Sequence, residues 1–135
     1  MNYWIFPCDV KQYDVHGAFR NFNKVQWIQN IKRIEVGDII LIYITKPSAS
    51  IQLACEVIDS GIDSNERKYE DADYIKDTSL EQKLKNKKFL IIKKLANINI
   101  TLEDMKSNGL TGGMQFQRQC QEPLLTYIKD RLKSQ

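Results

Sequence analysis

The order of apolar and polar positions divides the chain most sharply between Trp27 and Asp59. There Val36-Gly37-Asp38 gives way to Ile39-Ile40-Leu41-Ile42-Tyr43-Ile44, a short, continuous, β-branched run bounded by turn residues. That pattern predicts a buried strand rather than a helix. Residues 51–58 have the composition of a partner strand, and Thr45-Lys46-Pro47-Ser48-Ala49-Ser50 between the two has turn chemistry. The pair predicts an antiparallel hairpin in a small, strongly bent sheet.

The flanks supply the frame. Tyr3-Trp4-Ile5-Phe6, ended by Pro7, predicts a first strand with Trp4 in the core. Asp14 is placed to cap a short helix over residues 15–22, on which Val15, Ala18, Phe19 and Phe22 share a face and Gly17 is a weak point. Residues 21–29 read as a polar loop carrying Trp27, and residues 31–36 lead into the Gly37-Asp38 turn. Residues 60–88 are polar, with Tyr69 and Tyr74 as their large hydrophobes; Ser79-Leu80-Glu81-Gln82 has the form of a capping box for a helix over 80–86. A strand over 89–95 follows, then a helix opened by Thr101-Leu102-Glu103-Asp104 and stopped by Gly109. Gly112-Gly113 turns the chain. Met114-Gln115-Phe116-Gln117-Arg118 alternates as a half-buried final strand would, and Glu122-Pro123 opens a last helix over 124–132 with Leu124, Leu125, Ile128 and Leu132 as its buried stripe. The expected fold is α+β: one domain over residues 1–135, a bent or closed sheet flanked by short helices.

Composition narrows the function classes. With 42% hydrophobic and 27% charged residues the chain is ordinary for a globular protein, and nothing approaches the roughly twenty apolar residues of a membrane span. The start of the sequence lacks a basic region followed by a long apolar stretch, so a cytoplasmic address is expected, with no membrane partner. Cys8, Cys55 and Cys120 are odd in number and far apart, which argues for buried, reduced thiols rather than a disulfide framework or a zinc cluster. The net charge of +3 is mild but uneven: Lys83, Lys85, Lys87, Lys88, Lys93 and Lys94 crowd around the apolar run 89–92. Such a cluster serves either as a polyanion-facing side or as the solvated rim of a buried strand.

Catalytic groups are scarce. One histidine, His16, cannot build the zinc or paired-imidazole sites of hydrolases and nucleases, and it sits in a helix first turn without an evident orienting partner. Neither a Gly-rich phosphate loop nor a Gly-x-Ser-x-Gly elbow occurs. Glu103-Asp104-Met105-Lys106 has the outline of a carboxylate-x-lysine nuclease end, but acids at a helix start are expected from the helix dipole. The reading is a binding module, not an enzyme, with no metal and no cofactor.

Tyr3-Trp4-Ile5-Phe6-Pro7-Cys8, Trp27-Ile28-Gln29, Val36-Gly37-Asp38-Ile39, Ile42-Tyr43 and Cys55-Glu56-Val57 stand in an order that resembles EVE domains. The similarity continues through Leu102 to Gly109, the Gly-rich turn, Met114 to Arg118 and the Pro-led helix. EVE domains are similar to YTH and SRA readers of modified bases and share the PUA-like superfold, a small bent β-barrel with flanking helices. The sequence most resembles EVE domains at the front of modification-dependent restriction endonucleases. That resemblance implies a reader that takes one modified base, with modified cytosine in DNA as the expected ligand, into an aromatic pocket, the nuclease residing in a separate domain.

By the same resemblance Trp27, a tryptophan ahead of the central strand, forms one wall of the pocket. A flipped base exchanges its stacking in the duplex for an aromatic face. The expected edge readers are Asn21, Asn23, Gln29, Asp9 and Thr45, with Tyr43, Tyr69 or Tyr74 as an opposite wall. Lys46, Lys87, Lys88, Gln115, Gln117 and Arg118 are the expected phosphate contacts, which position a strand without reading it. Two alternatives stay open: an RNA-binding PUA-like domain indifferent to modification, and a small nucleoside-processing hydrolase with Asp9, Asp38 or Lys24 in its pocket.

Overall fold

All six residues of Ile39–Ile44 are buried, because this strand lies inside a sheet that is covered on both faces. The computed structural model describes residues 1–63 and 87–134. In chain order the elements are β1 (Tyr3–Cys8), α1 (Val15–Asn21), β2 (Lys24–Gln29), β3 (Ile39–Ile44), β4 (Ser50–Asp63), β5 (Lys88–Thr101), α2 (Leu102–Ser107), β6 (Arg118–Gln119) and α3 (Leu124–Lys133). The strands form one sheet in the order β2-β5-β4-β3-β1-β6.

The predicted hairpin is β3 and β4, antiparallel from Ile39 opposite Glu56 to Ile44 opposite Ser50. The N-terminal strand β1 lies parallel to β3, Tyr3 beside Ile39 and Cys8 beside Ile44. Both long strands exceed their sequence limits: β4 continues past residue 58 to Asp63, and β5 runs on from residue 95 to Thr101. Four register shifts interrupt the β4–β5 ladder, between Ile51 and Leu53, Ala54 and Cys55, Val57 and Asp59, and Asp59 and Ile62. Each such irregularity adds local twist, and together they account for the strong bend.

Alternation along the strands creates two cores. One face collects Trp4, Phe6, Ile40, Ile42, Leu53, Cys55, Val57, Leu90 and Ile92 beneath α1; the other collects Ile5, Leu41, Tyr43, Ile51, Ile100, Met105, Leu124 and Ile128 beneath α2 and α3. Asp14 caps α1 as expected, its Oδ1 accepting from the Gly17 amide at 3.0 Å. Thr101 caps α2 through the Asp104 amide at 3.1 Å, so Glu103 and Asp104 are first-turn acids of a capped helix. Gly109 ends α2 at φ +103°, and the Leu110 amide returns to the Met105 carbonyl. A Cβ on Gly109 would stand 2.5 Å from the Pro123 ring, so glycine also lets α3 approach.

Asp38 is more than the turn residue its neighbour Gly37 suggests. It is 3% exposed, and its two oxygens accept from the Asn2 amide (3.0 Å), the Trp4 indole N–H (2.9 Å) and the Glu35 amide (3.0 Å). Burial pushes its carboxyl up, but the three donors, together with the positive charge of the N-terminus, outweigh burial and hold it below the usual carboxylate range. Trp4 is fully buried, as expected, and this bond satisfies its one polar atom.

Three expectations need correction. Residues 24–29 are strand β2, not loop: Val25 and Trp27 pair with Ile92 and Leu90 and face the α1 side. Residues 114–118 are not a strand; only Arg118–Gln119 pairs, with Trp4 and Ile5 of β1, while Met114 is buried and Phe116 is 78% exposed. Among the described residues no main-chain ladder closes the sheet into a barrel, so the bent form of the expected sheet holds and the closed form does not. The edges are joined by a side chain instead: Gln117 Nε2 donates to the Ile28 carbonyl (2.8 Å) and its Oε1 accepts from the Asn30 amide (3.0 Å). The capping box at 79–82 and the helix expected over 80–86 lie outside the described residues.

Candidate nucleic-acid interface

The curl of the sheet brings β2, at one edge, back toward the segment that follows β1. That segment is a tight turn: the Gln12 and Tyr13 amides donate to the Asp9 carbonyl, and Asp9 Oδ1 accepts from the Lys11 amide at 2.9 Å. The turn presents Tyr13 to Trp27 of β2 edge to face, with ring centroids 5.4 Å apart and planes at 87°. Both rings are half-buried against the α1-side core, so part of each aromatic surface faces solvent. This corner is the candidate base site.

Asp9 and Thr45 follow the ends of the parallel strands β1 and β3 and are tied there by the Thr45 amide, which donates to the Cys8 carbonyl at 3.0 Å. Asp9, Thr45, Tyr13 and Trp27 are thus linked through one turn and one strand end, with exposed Lys46 next in the chain. Asn21 ends α1, where its Nδ2 donates to the Gly17 carbonyl at 3.3 Å, and exposed Asn23 precedes β2.

Other expected members are engaged elsewhere. Gln29 Nε2 donates to the Ile31 carbonyl and its Oε1 accepts from the Gly61 amide, so its amide staples β2 to β4. Tyr43 is 4% exposed in the core on the opposite face from Trp27, and burial raises its hydroxyl pKa; it cannot be the second wall. Tyr69 and Tyr74 lie outside the described residues. Sequence reading missed Tyr13, although an aromatic between Asp9 and the helix-capping Asp14 was a usable signal, since turn and cap together fix where that ring points.

The expected phosphate contacts separate in the same way. Gln117 spends its amide on β2, and Arg118 Nη1 donates to the carbonyls of Thr111 (2.7 Å) and Gly113 (3.4 Å). Lys88 pairs with Asp63, whereas Lys46, Lys87 and Gln115 are exposed. Exposed Lys24 stands opposite exposed Lys93 in the β2–β5 register, a like-charge pairing that sheets ordinarily avoid. Glu56 of β4 is the other cross-strand neighbour of Lys93.

Among the described residues no cluster of three or more His, Cys, Asp or Glu side chains has the geometry to hold a metal. His16 Nε2 lies 2.8 Å from Gln52 Oε1, beside α1. Cys8, Cys55 and Cys120 are free and buried, and burial pushes each thiol pKa up to about 12, so none is a ready thiolate. No helix among the described residues is long and apolar enough to cross a membrane.

This architecture recurs in solved structures. A hypothetical protein from Leishmania major superposes with a TM-score of 0.70 at 16% identity, covering 99% of this chain and 96% of that one. A mutant of the ASCH protein from Zymomonas mobilis gives 0.70 at 12% identity, covering 96% and 95%. Protein Atu2648 from Agrobacterium tumefaciens gives 0.66 at 15% identity, covering 95% and 90%. Comparison with curated proteins gave no match. The family model of the EVE domain matches residues 2–124, through the whole sheet and into α3. With that match spanning nearly the entire chain, the protein belongs to the EVE domain family.

Proposed function

We propose that this EVE domain is a nucleic-acid reader that takes one modified base, a modified cytosine of DNA, against the Tyr13–Trp27 corner, and that it serves as the specificity module of a modification-dependent restriction system. The observation that carries the reading is the half-buried, edge-to-face aromatic pair at the junction of β2 and the turn after β1. A half-buried tryptophan is anchored by the core yet offers ring surface for stacking, and a base stacked on an aromatic side chain is stabilised by ~1–3 kcal/mol. Asp9, bonded to Tyr13 through its carbonyl, and Thr45 and Asn23 are the groups assigned to reading the base edge, and Lys24, Lys46, Lys87 and Lys93 supply sequence-independent attraction to phosphates.

A panel of oligonucleotides identical except for 5-methyl-, 5-hydroxymethyl- or glucosylated cytosine, or methylated adenine, tests the reading by fluorescence anisotropy at fixed salt. A preference of tenfold or so for one modification is expected, with the ranking held from one salt concentration to another. Equal affinity for all members, with tighter binding of RNA, would replace it by an RNA-binding PUA-like domain without modification specificity.

A further inference from the structure

Among the described residues Phe116 is the large aromatic side chain left outside, 78% exposed, two residues after buried Met114. It does not hang on a slack tip. Gln117 beside it is bonded to the Ile28 carbonyl and the Asn30 amide, and Arg118 holds the Gly112-Gly113 turn through the Thr111 and Gly113 carbonyls. The ring is therefore presented in a braced position, referenced to the strand that carries Trp27.

Beside it opens a cavity of about 390 Å³ lined by Arg33, Gly113, Phe116, Arg118, Gln119 and Gln121, two cations and no carboxylate. Arg33 Nη2 donates to Gln119 Oε1 at 3.1 Å, and its guanidinium lies 5.2 Å from the centroid of the Trp4 ring. Both arginines are thus positioned by neutral groups, and among the described residues neither has an acidic partner, so their charge is left for a ligand. An exposed ring lining the same cavity as two oriented guanidinium groups suits a polyanion that also carries aromatic faces, which is nucleic acid.

We propose that Phe116, with Arg33 and Arg118 on the same cavity, is a second nucleic-acid contact: a stacking post for a base neighbouring the captured one, with the adjoining phosphate on the arginines. This rests on the reading of the domain as a nucleic-acid binder but assigns a site apart from the Tyr13–Trp27 corner. Because the post meets any base face, it adds affinity without adding preference for the modification.

The test is a titration of wild type, Phe116→Ala, Phe116→Trp and Arg33→Gln with modified and unmodified strands of about a dozen nucleotides. Thermal unfolding of each variant confirms the fold. Phe116→Ala is expected to weaken modified and unmodified strands alike by about tenfold, Phe116→Trp to keep wild-type affinity, and Arg33→Gln to lower the salt slope by about 0.7. A tryptophan placed at 116 in a Trp27→Phe background should be quenched when an unmodified strand binds. If Phe116→Ala binds every strand as wild type does while the modified-base preference persists, the post is wrong and the base corner stands. Loss of affinity in Phe116→Ala without any modified-base preference in wild type would keep the post and remove the corner. Wild type that binds none of these strands overturns both.

Discussion

Asp38 and the two tryptophans show how much single side chains decide here. Asp38 joins the chain start, the first strand and the turn before β3, because one buried carboxylate accepts from Asn2, Trp4 and Glu35. Its folded pKa lies below the ordinary value, so its stabilisation is fully present above the unfolded value of about 3.9 and decays as pH falls through the folded value. Asp38→Asn should cost ~2 kcal/mol near neutral pH, since an amide has one acceptor oxygen to offer where the carboxylate offers two. The same variant should show a flatter decline of melting temperature than wild type as pH falls below about 4, measured by thermal unfolding. An equally steep decline would place the acid sensitivity on other carboxylates. Trp4 and Trp27 divide the roles available to a tryptophan: the first is sealed, its N–H satisfied by Asp38, and the second is anchored on one side and open on the other.

β2 is the element on which the interface depends, and Gln117 is what holds it to the far edge of the sheet. Gln117→Ala removes two hydrogen bonds to β2 and its following turn, for an expected loss of ~1–2 kcal/mol. Faster amide exchange around Asn30, with β3 and β4 unchanged, would identify the clasp; unchanged exchange there would show that the Tyr13–Trp27 contact alone closes the curl. The fold was legible in the sequence wherever local pattern and burial agree, as in the all-apolar β3, the Asp14 and Thr101 caps and the Gly109 stop. It was not legible in β2, because Asn21-Phe22-Asn23-Lys24 and Gln29-Asn30 make the segment look polar, and its partners on β5 lie 59 to 69 positions away. Residues 114–118 failed for the opposite reason. The alternation of Met114 and Phe116 suits a strand, yet only two later residues find a partner edge, and Phe116 is turned out to solvent. Tyr43 lies on the face opposite Trp27, with Leu41 rather than with Ile42 and Ile44, and an all-apolar strand such as β3 gives no local sign of which of its two faces meets which core.

Taken together, the curled sheet carries a neutral aromatic corner and, on its β2–β5 edge, a cationic border. Lys24 stands opposite Lys93, with Glu56 on the other side of Lys93, and under the proposed function this edge is the one that meets phosphates. Lys24→Gln with Lys93→Gln should leave the melting temperature unchanged or slightly higher, weaken all nucleic acids to the same degree, and reduce the salt slope on duplex DNA by up to about 1.8. An unchanged slope would make that edge a solvated rim. The modified-base preference should survive, because stacking and phosphate attraction are separable. The decisive measurement is therefore the ratio of affinities for a modified and an unmodified oligonucleotide at one salt concentration, in wild type and in Trp27→Ala, with unfolding followed in parallel. Trp27→Ala should cost ~2 kcal/mol of stability, as a half-buried ring, while the protein stays folded. The account predicts that the ratio falls to about one as binding to the unmodified strand is retained through the lysines; a folded Trp27→Ala protein that keeps the wild-type ratio would contradict it.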